Sequence, residues 1–393
     1  MLARSAASGS VMFKDQTAIV GIGQTRYGKA LPESELELGC QAVLSALEDA
    51  GLRASDVDAV GCFTYEKTPE FELARNIGFG ELHFFAQSPY GGGAACGAVG
   101  QVALAIAAGI ANVGVVWRSR KRSGADTRLW SGVEERISDH WKWSRPSGLV
   151  RPVDEVAMIA RRYMDEYKVT REQLAEVALA QREYANRNPA AFMHDRMLST
   201  AQYLDARMIS DPLCLYDNCL ETDGAVAVVL TRSDRAHELR QKPVLVHAFS
   251  QGMTREHQVM ADYHGADPLR SSSYVTAANL WRQADCGPSG VSVAQFYDAF
   301  SPLVLFSLEA YGFCARGTAG QFVAEGGTRL CGRLPVNTSG GSLSEVYLHG
   351  MNLVVEAVRQ VRGTSTAQVS DVDFSLVTTC DSTPNGALLL RRA

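Results

Sequence analysis

Two tyrosines in polar or glycine-rich stretches are the residues of this 393-residue chain best suited to acid–base work on an oxygen-bearing substrate. Tyr297 stands in AQFYDAFSP (Ala294 to Pro302), beside Asp298, and Tyr347 in PVNTSGGSLSEVYLHG (Pro335 to Gly350), after Asn337, Gly340 and Gly341. A phenol hydroxyl both donates and accepts, so it can serve a carbonyl or an alcohol. A third stretch, SPYGGGAACG (Ser88 to Gly97), reads as a glycine turn opening a helix. The free N–H groups of a helix N-terminus favour an anion. Each stretch also has a plain structural reading: a turn for close helix packing, a buried strand end whose Tyr297 hydroxyl finds a backbone partner, and a loop with an Asn turn and a helix cap. It is their concurrence that points to chemistry.

Several other chemistries lack a signature. VGIGQTRYG contains G-x-G after a strand but has no third glycine in place and no helix directly after it. There is no G-x-S-x-G and no H-E-x-x-H, and the eight histidines never pair at ligand spacing, so no metal site is expected. The nine cysteines are scattered without a C-x-x-C pair, which suits a reducing cytoplasm. A formal charge of -5 offers no basic field for a phosphate backbone, so nucleic acid is not an expected partner. The opening residues form no apolar run of signal length, and VALAIAAGIANVGVVW is too short and too glycine-broken to span a bilayer.

The elements that must position these stretches alternate. TAIVGIGQT predicts a strand, ESELELGCQAVLSALEDAGL a helix, SDVDAVGCFTY a second strand, and GGGAACGAVGQVALAIAAGIANVGVVW a turn, a helix and a third strand. The small residues Ala103, Ala105, Ala107 and Ala108 suit a helix packed between sheets. Residues 118–215 are more aromatic and charged and read as an excursion carrying two helices, VDEVAMIARRYMDEYKV and TREQLAEVALAQREYANRN. Strands resume at GAVAVVLT and VLVHAFSQG, and the chain closes with helix MNLVVEAVRQVRG and strands VDFSLVTT and GALLLRR. AVLSALEDAGLRASDVDAVGCF and AANLWRQADCGPSGVSVAQFYDAF share a helix–turn–strand plan, as a duplicated unit would. This alternation predicts α/β layers around buried sheets.

From TAIVGIGQTRYGK to DSTPNGALLLRR the chain resembles the thiolase superfamily, most closely its lipid-transfer-protein, sterol-carrier-type branch. The segment GLVRPVDEVAMIARRYMDEYKVTREQLAEVALAQREYANRNPAA and the loop NTSGGSLSE carry that likeness. The resemblance implies a duplicated five-layered αβαβα fold, with a first domain at 13–245 that includes a loop domain at 118–215, and a second at 246–393. It also implies acyl-CoA ligands and a homodimer. Thiolases place a nucleophilic cysteine at a helix N-terminus. Counting back from IAAG by that motif's spacing puts Gly92 there, with Cys96 one helical turn inside. Tyr297 and Tyr347 stand where the family has histidines, and Cys380 is kept without its following glycines.

PYGGGAACG, YDAF and SEVY together are similar to the steroid side-chain-cleaving retro-aldolases of that superfamily. The resemblance implies cleavage of a bulky, steroidal β-hydroxyacyl-CoA to a ring ketone and a short acyl-CoA such as propionyl-CoA. It implies no cofactor beyond the coenzyme A of the substrate, and a small partner of the oligonucleotide-binding, DUF35 type in an α2β2 assembly. Such cleavage needs removal of a hydroxyl proton, stabilisation of a thioester enolate and its reprotonation, tasks that two hydroxyls can divide. Backbone N–H groups at Gly92 and Gly93, and those near Gly340 and Gly341, are the candidate oxyanion donors. Which tyrosine is acid and which is base stays open at this level. So do two other readings: an acyltransferase using Cys96 or Cys380, and a non-catalytic acyl-CoA-binding or scaffold subunit.

Overall fold

The computed structural model describes residues 13–89, 93–124, 141–255, 265–379 and 385–393. β1 (Thr17–Gln24) leads into α1 (Glu35–Ala50), whose ends are set locally. Ser34 Oγ accepts the Glu37 N–H at 3.2 Å, the Glu37 carboxylate accepts the Ser34 N–H at 2.6 Å, and Gly51 closes the helix at φ 73°. β2 (Ala59–Phe63), α2 (Glu70–Ile77), β3 (Phe84–Ser88), α3 (Ala94–Ala107) and β4 (Val113–Arg120) follow. α2 and β3 fall between the strands expected from the sequence. β3 is only five residues long and half-exposed, so it carries no long apolar run.

The excursion holds helices Pro152–Tyr167 and Arg171–Ala185 and a small hairpin of β5 (Met208–Ser210) and β6 (Leu213–Cys214). It starts later than expected. β4 pairs with β7 (Gly224–Arg232) through Arg120↔Gly224, so Arg118 and Arg120 belong to a buried strand despite their charge. β8 (Val244–Gly252), β9 (Val293–Phe296), β10 (Phe374–Thr378) and β11 (Asn385–Arg392) form the second half.

The nine long strands lie in the order β3-β2-β4-β7-β1-β8-β11-β10-β9. The halves meet through two residue pairs, Ala18↔Leu245 and Ile19↔Val244. Outward from that seam, each half runs first strand, last strand, next-to-last, second, with antiparallel, antiparallel and parallel pairings. The duplication is therefore present in the topology itself. α1 covers the outer face of the first half and the helix Ser272–Gln283 that of the second, while α3 and the helix Met351–Arg362 lie between the half-sheets. These are the five expected layers.

Close approach in the central layer depends on glycine more than alanine. A Cβ on Gly100 would lie 2.2 Å from the Phe249 ring, and one on Gly114 would lie 2.2 Å from Val102. Ala103 and Ala105 are buried as expected, but Ala108 is exposed beyond the last turn of α3. Among the described residues no helix is long and apolar enough to cross a membrane.

Candidate functional site

Tyr297 leaves the end of β9, where its N–H donates to the Thr378 carbonyl at 3.2 Å. Tyr347 sits between the short turn Gly341–Ser344 and the helix Met351–Arg362, with its N–H on Thr222 Oγ1 at 3.2 Å. Fifty residues apart in sequence, their hydroxyls meet at 2.7 Å, and both side chains are buried. The first turn of α3 converges on the same place. A Cβ at Gly350 would lie 2.9 Å from the Tyr297 ring and 3.8 Å from Ala95 Cβ, and φ of 81° reserves that position for glycine.

Asn337 and Asp298 fasten the two tyrosine segments together. Asn337 Oδ1 accepts the Phe296 N–H at 2.7 Å while its Nδ2 donates to the Phe296 carbonyl at 2.8 Å. Asp298 accepts the N–H groups of Ser342 at 2.9 Å and Leu343 at 3.2 Å. Burial pushes its carboxyl up to about 6, opposed first by the Ser342 N–H. Both side chains are therefore engaged in bracing the two segments. The Gly340 N–H is engaged by the Asn337 carbonyl at 2.9 Å. Gly341 packs so close to Asp298 that a Cβ would lie 2.3 Å from Oδ2. The excursion completes the frame. Asn188 donates to the Ser339 carbonyl at 3.0 Å, and Glu345 is held by Ser339 at 2.6 Å and Asn352 at 2.9 Å.

A family model described as thiolase C-terminal domain-like matches residues 252–387. Over 387 residues, 96% of this chain and 100% of the relative, the sequence is 42% identical to a 17-hydroxy-3-oxo-4-pregnene-20-carboxyl-CoA lyase of Mycobacterium tuberculosis. It is 43% identical to a steroid side-chain-cleaving aldolase of Thermomonospora curvata, over 95% of this chain and 97% of that one. The chain belongs to this family of thiolase-like aldolases. A solved Ltp2-ChsH2(DUF35) aldolase superposes with a TM-score of 0.92, at 42% identity, over 97% of this chain and 99% of that one. Human mitochondrial 3-ketoacyl-CoA thiolase in complex with CoA, 12% identical, shares the fold at a TM-score of 0.69, over 97% of this chain and 99% of that one.

In this aldolase-family chain the thiol near the helix mouth is enclosed by the core. Cys96 lies inside the first turn of α3, fully buried, with Sγ 3.6 Å from the Val377 carbonyl. Burial pushes the thiol above its ordinary range. Gly93 is the N-cap of α3, while Gly92 and Cys380 lie outside the described residues.

Three residues around Tyr347 escaped the sequence reading. The Arg122 guanidinium lies 4.9 Å from the Tyr347 ring centre, and the His349 imidazole meets that ring edge-to-face at 4.8 Å. Arg118, fully buried, donates to His349 Nδ1 through Nε at 3.0 Å and pairs with Glu66 at 3.0 Å. One signal was available: Arg118 and Arg120 alternate at the polar end of the strand that begins VGVVW, and Arg122 continues the same spacing just beyond it. Among the described residues, no group of three His, Cys, Asp or Glu side chains could hold a metal ion.

Proposed function

We propose that the chain is a carbon–carbon lyase that cleaves a steroidal β-hydroxyacyl-CoA by a retro-aldol reaction, with Tyr297 and Tyr347 moving the proton. The 2.7 Å contact between their buried hydroxyls carries this reading. The bond between the carbinol carbon and the thioester α-carbon breaks, and its electron pair passes into the thioester enolate. The hydroxyl gives up its proton as its oxygen becomes the ring ketone, and the α-carbon takes one proton to become a short acyl-CoA such as propionyl-CoA. The balance is one proton moved from oxygen to carbon, with no electron gained or lost.

Two hydrogen-bonded hydroxyls suit that balance. One accepts the substrate proton while passing its own to the other, which delivers to carbon. Neither needs to stand as a free tyrosinate, which a phenol with an ordinary pKa of about 10 would form rarely at neutral pH. The guanidinium over Tyr347 favours negative charge developing on that ring. The N–H groups of the first turn of α3, capped at Gly93, are the donors we assign to the enolate oxygen.

The steroid and the coenzyme A thioester rest on what the two curated relatives are named for. A DUF35-type partner in an α2β2 assembly rests on the solved Ltp2-ChsH2(DUF35) aldolase. A homodimer has a further support: β3 is an edge strand whose Phe85 is 67% exposed, and Phe71 of α2 is 62% exposed. The reading is of a cytoplasmic enzyme, and its described cysteines are all free thiols.

The decisive experiment incubates the purified chain, with and without a DUF35-type partner, with a 17-hydroxy steroid carrying a 20-carboxyl-CoA side chain. Mass spectrometry should show ring ketone and propionyl-CoA in equal amounts. Free coenzyme A without ketone, or a lasting acyl-enzyme, would overturn the reading.

A further inference from the structure

His349 takes no part in the proton relay, yet it is among the most constrained side chains at the site. Its backbone is left-handed at φ 52°, uncommon for any residue with a Cβ, and its side chain is 1% exposed. A guanidinium can only donate, so the contacts of Arg118 Nε at 3.0 Å and Nη2 at 2.7 Å make Nδ1 the acceptor and leave the proton on Nε2. Arg118 is itself fixed. It pairs with Glu66 at 3.0 Å and lies 4.8 Å from the Phe63 ring centre, while Glu66 also accepts the Ser119 N–H at 3.1 Å and its hydroxyl at 3.0 Å. Burial, then the neighbouring guanidiniums of Arg118, Arg120 and Arg122, hold the imidazole neutral.

Nε2 is fully buried without a hydrogen-bond partner among the described residues. A buried donor is costly to leave unpaired, so its place at the site calls for a role. The described ring contacts of the imidazole are the edge-to-face contact with Tyr347 at 4.8 Å and a more distant one with Phe63 at 6.4 Å. Arg122 lies 4.9 Å from the centre of the same Tyr347 ring.

We propose that His349 is a positioning residue for Tyr347: an imidazole, held in one orientation by Arg118 and Glu66, that with Arg122 clamps the phenol so that its hydroxyl meets Tyr297. The inference rests on the tyrosine-pair reading. It goes beyond it by assigning the Glu66–Arg118–His349 series, drawn from the first half of the chain and from the Tyr347 segment, a task in turnover.

The test uses the full chain with its partner protein and compares His349→Leu, His349→Gln and Tyr347→Phe with the doubles that combine each His349 variant with Tyr347→Phe. Loss of alignment should lower kcat of His349→Leu about 10²-fold, as misplacement of a reacting group does, with KM within about twofold. His349→Gln, whose amide oxygen can still accept from Arg118, should recover about tenfold of that loss. In the Tyr347→Phe background neither His349 variant should cause further loss, because residues acting through one group are not additive.

A folded His349→Leu with parent-like kcat overturns the inference, and so does a His349 effect that persists undiminished without the Tyr347 hydroxyl. Should His349→Leu fail to fold, His349→Gln carries the same two criteria. Full turnover by Tyr347→Phe would instead overturn the tyrosine pair and this inference together, which keeps the two failures distinct.

Discussion

Tyr347→Phe and Tyr297→Phe each delete one oxygen from the contact at the centre of the site. In a plain core role the consequence is thermodynamic: one buried hydrogen bond is lost, about 0.5 to 1.5 kcal/mol, and turnover hardly changes. In the relay role the stability cost is the same, but kcat loses a positioned acid or base, about 10² to 10⁴, equivalent to about 2.7 to 5.4 kcal/mol in the barrier. The two ranges do not overlap, because the structure gives each hydroxyl a partner at 2.7 Å but leaves the ring packing to carbon atoms that phenylalanine keeps. Thermal melts and steady-state kinetics on the same preparations separate them. Both variants should fold, melt slightly lower and bind substrate with near-parent KM while kcat collapses. A lower melt with kcat within a few-fold of the parent, in either variant, would refute the relay.

Cys96→Ala should retain most of the lyase activity and yield no trapped acyl adduct in the parent, because that thiol faces the Val377 carbonyl from inside α3; loss of catalysis with folding intact would count against this. Gly350→Ala should cost about 1 to 2 kcal/mol for its left-handed backbone. The new Cβ, 2.9 Å from the Tyr297 ring, should also lower kcat, which melts and kinetics can compare. Glu345→Gln tests a pH dependence. Burial pushes the Glu345 carboxyl up to about 7, so the folded chain holds that proton more tightly than the unfolded one. Its contribution to stability is complete below the ordinary glutamate range and is lost as pH rises through about 7. The melting temperature of Glu345→Gln should therefore gain on the parent between about pH 5 and pH 8, and a constant gap would refute the shift.

What the amino-acid order determined by itself was short-range or repeated. The capping box of Ser34 and Glu37 lies within one turn, so the start of α1 is readable where it stands. The two excursion helices announce themselves by apolar spacing, and the duplicated helix–turn–strand plan reappears as one strand order used in both halves. The tyrosines, too, were visible by type and by their polar, glycine-rich settings. Their distance was not. It is set by Asn337 gripping Phe296 across 41 residues and Asp298 gripping Ser342 across 44, contacts that exist only once β9 and the glycine loop are side by side. β3 was missed because a five-residue edge strand, exposed on alternate side chains, leaves no apolar run to read. In sequence Arg118 reads as the start of a polar excursion, because charge ordinarily marks surface. Only tertiary packing brings it Glu66 from 52 residues away and His349 from 231, and it is those partners that make a buried guanidinium tolerable.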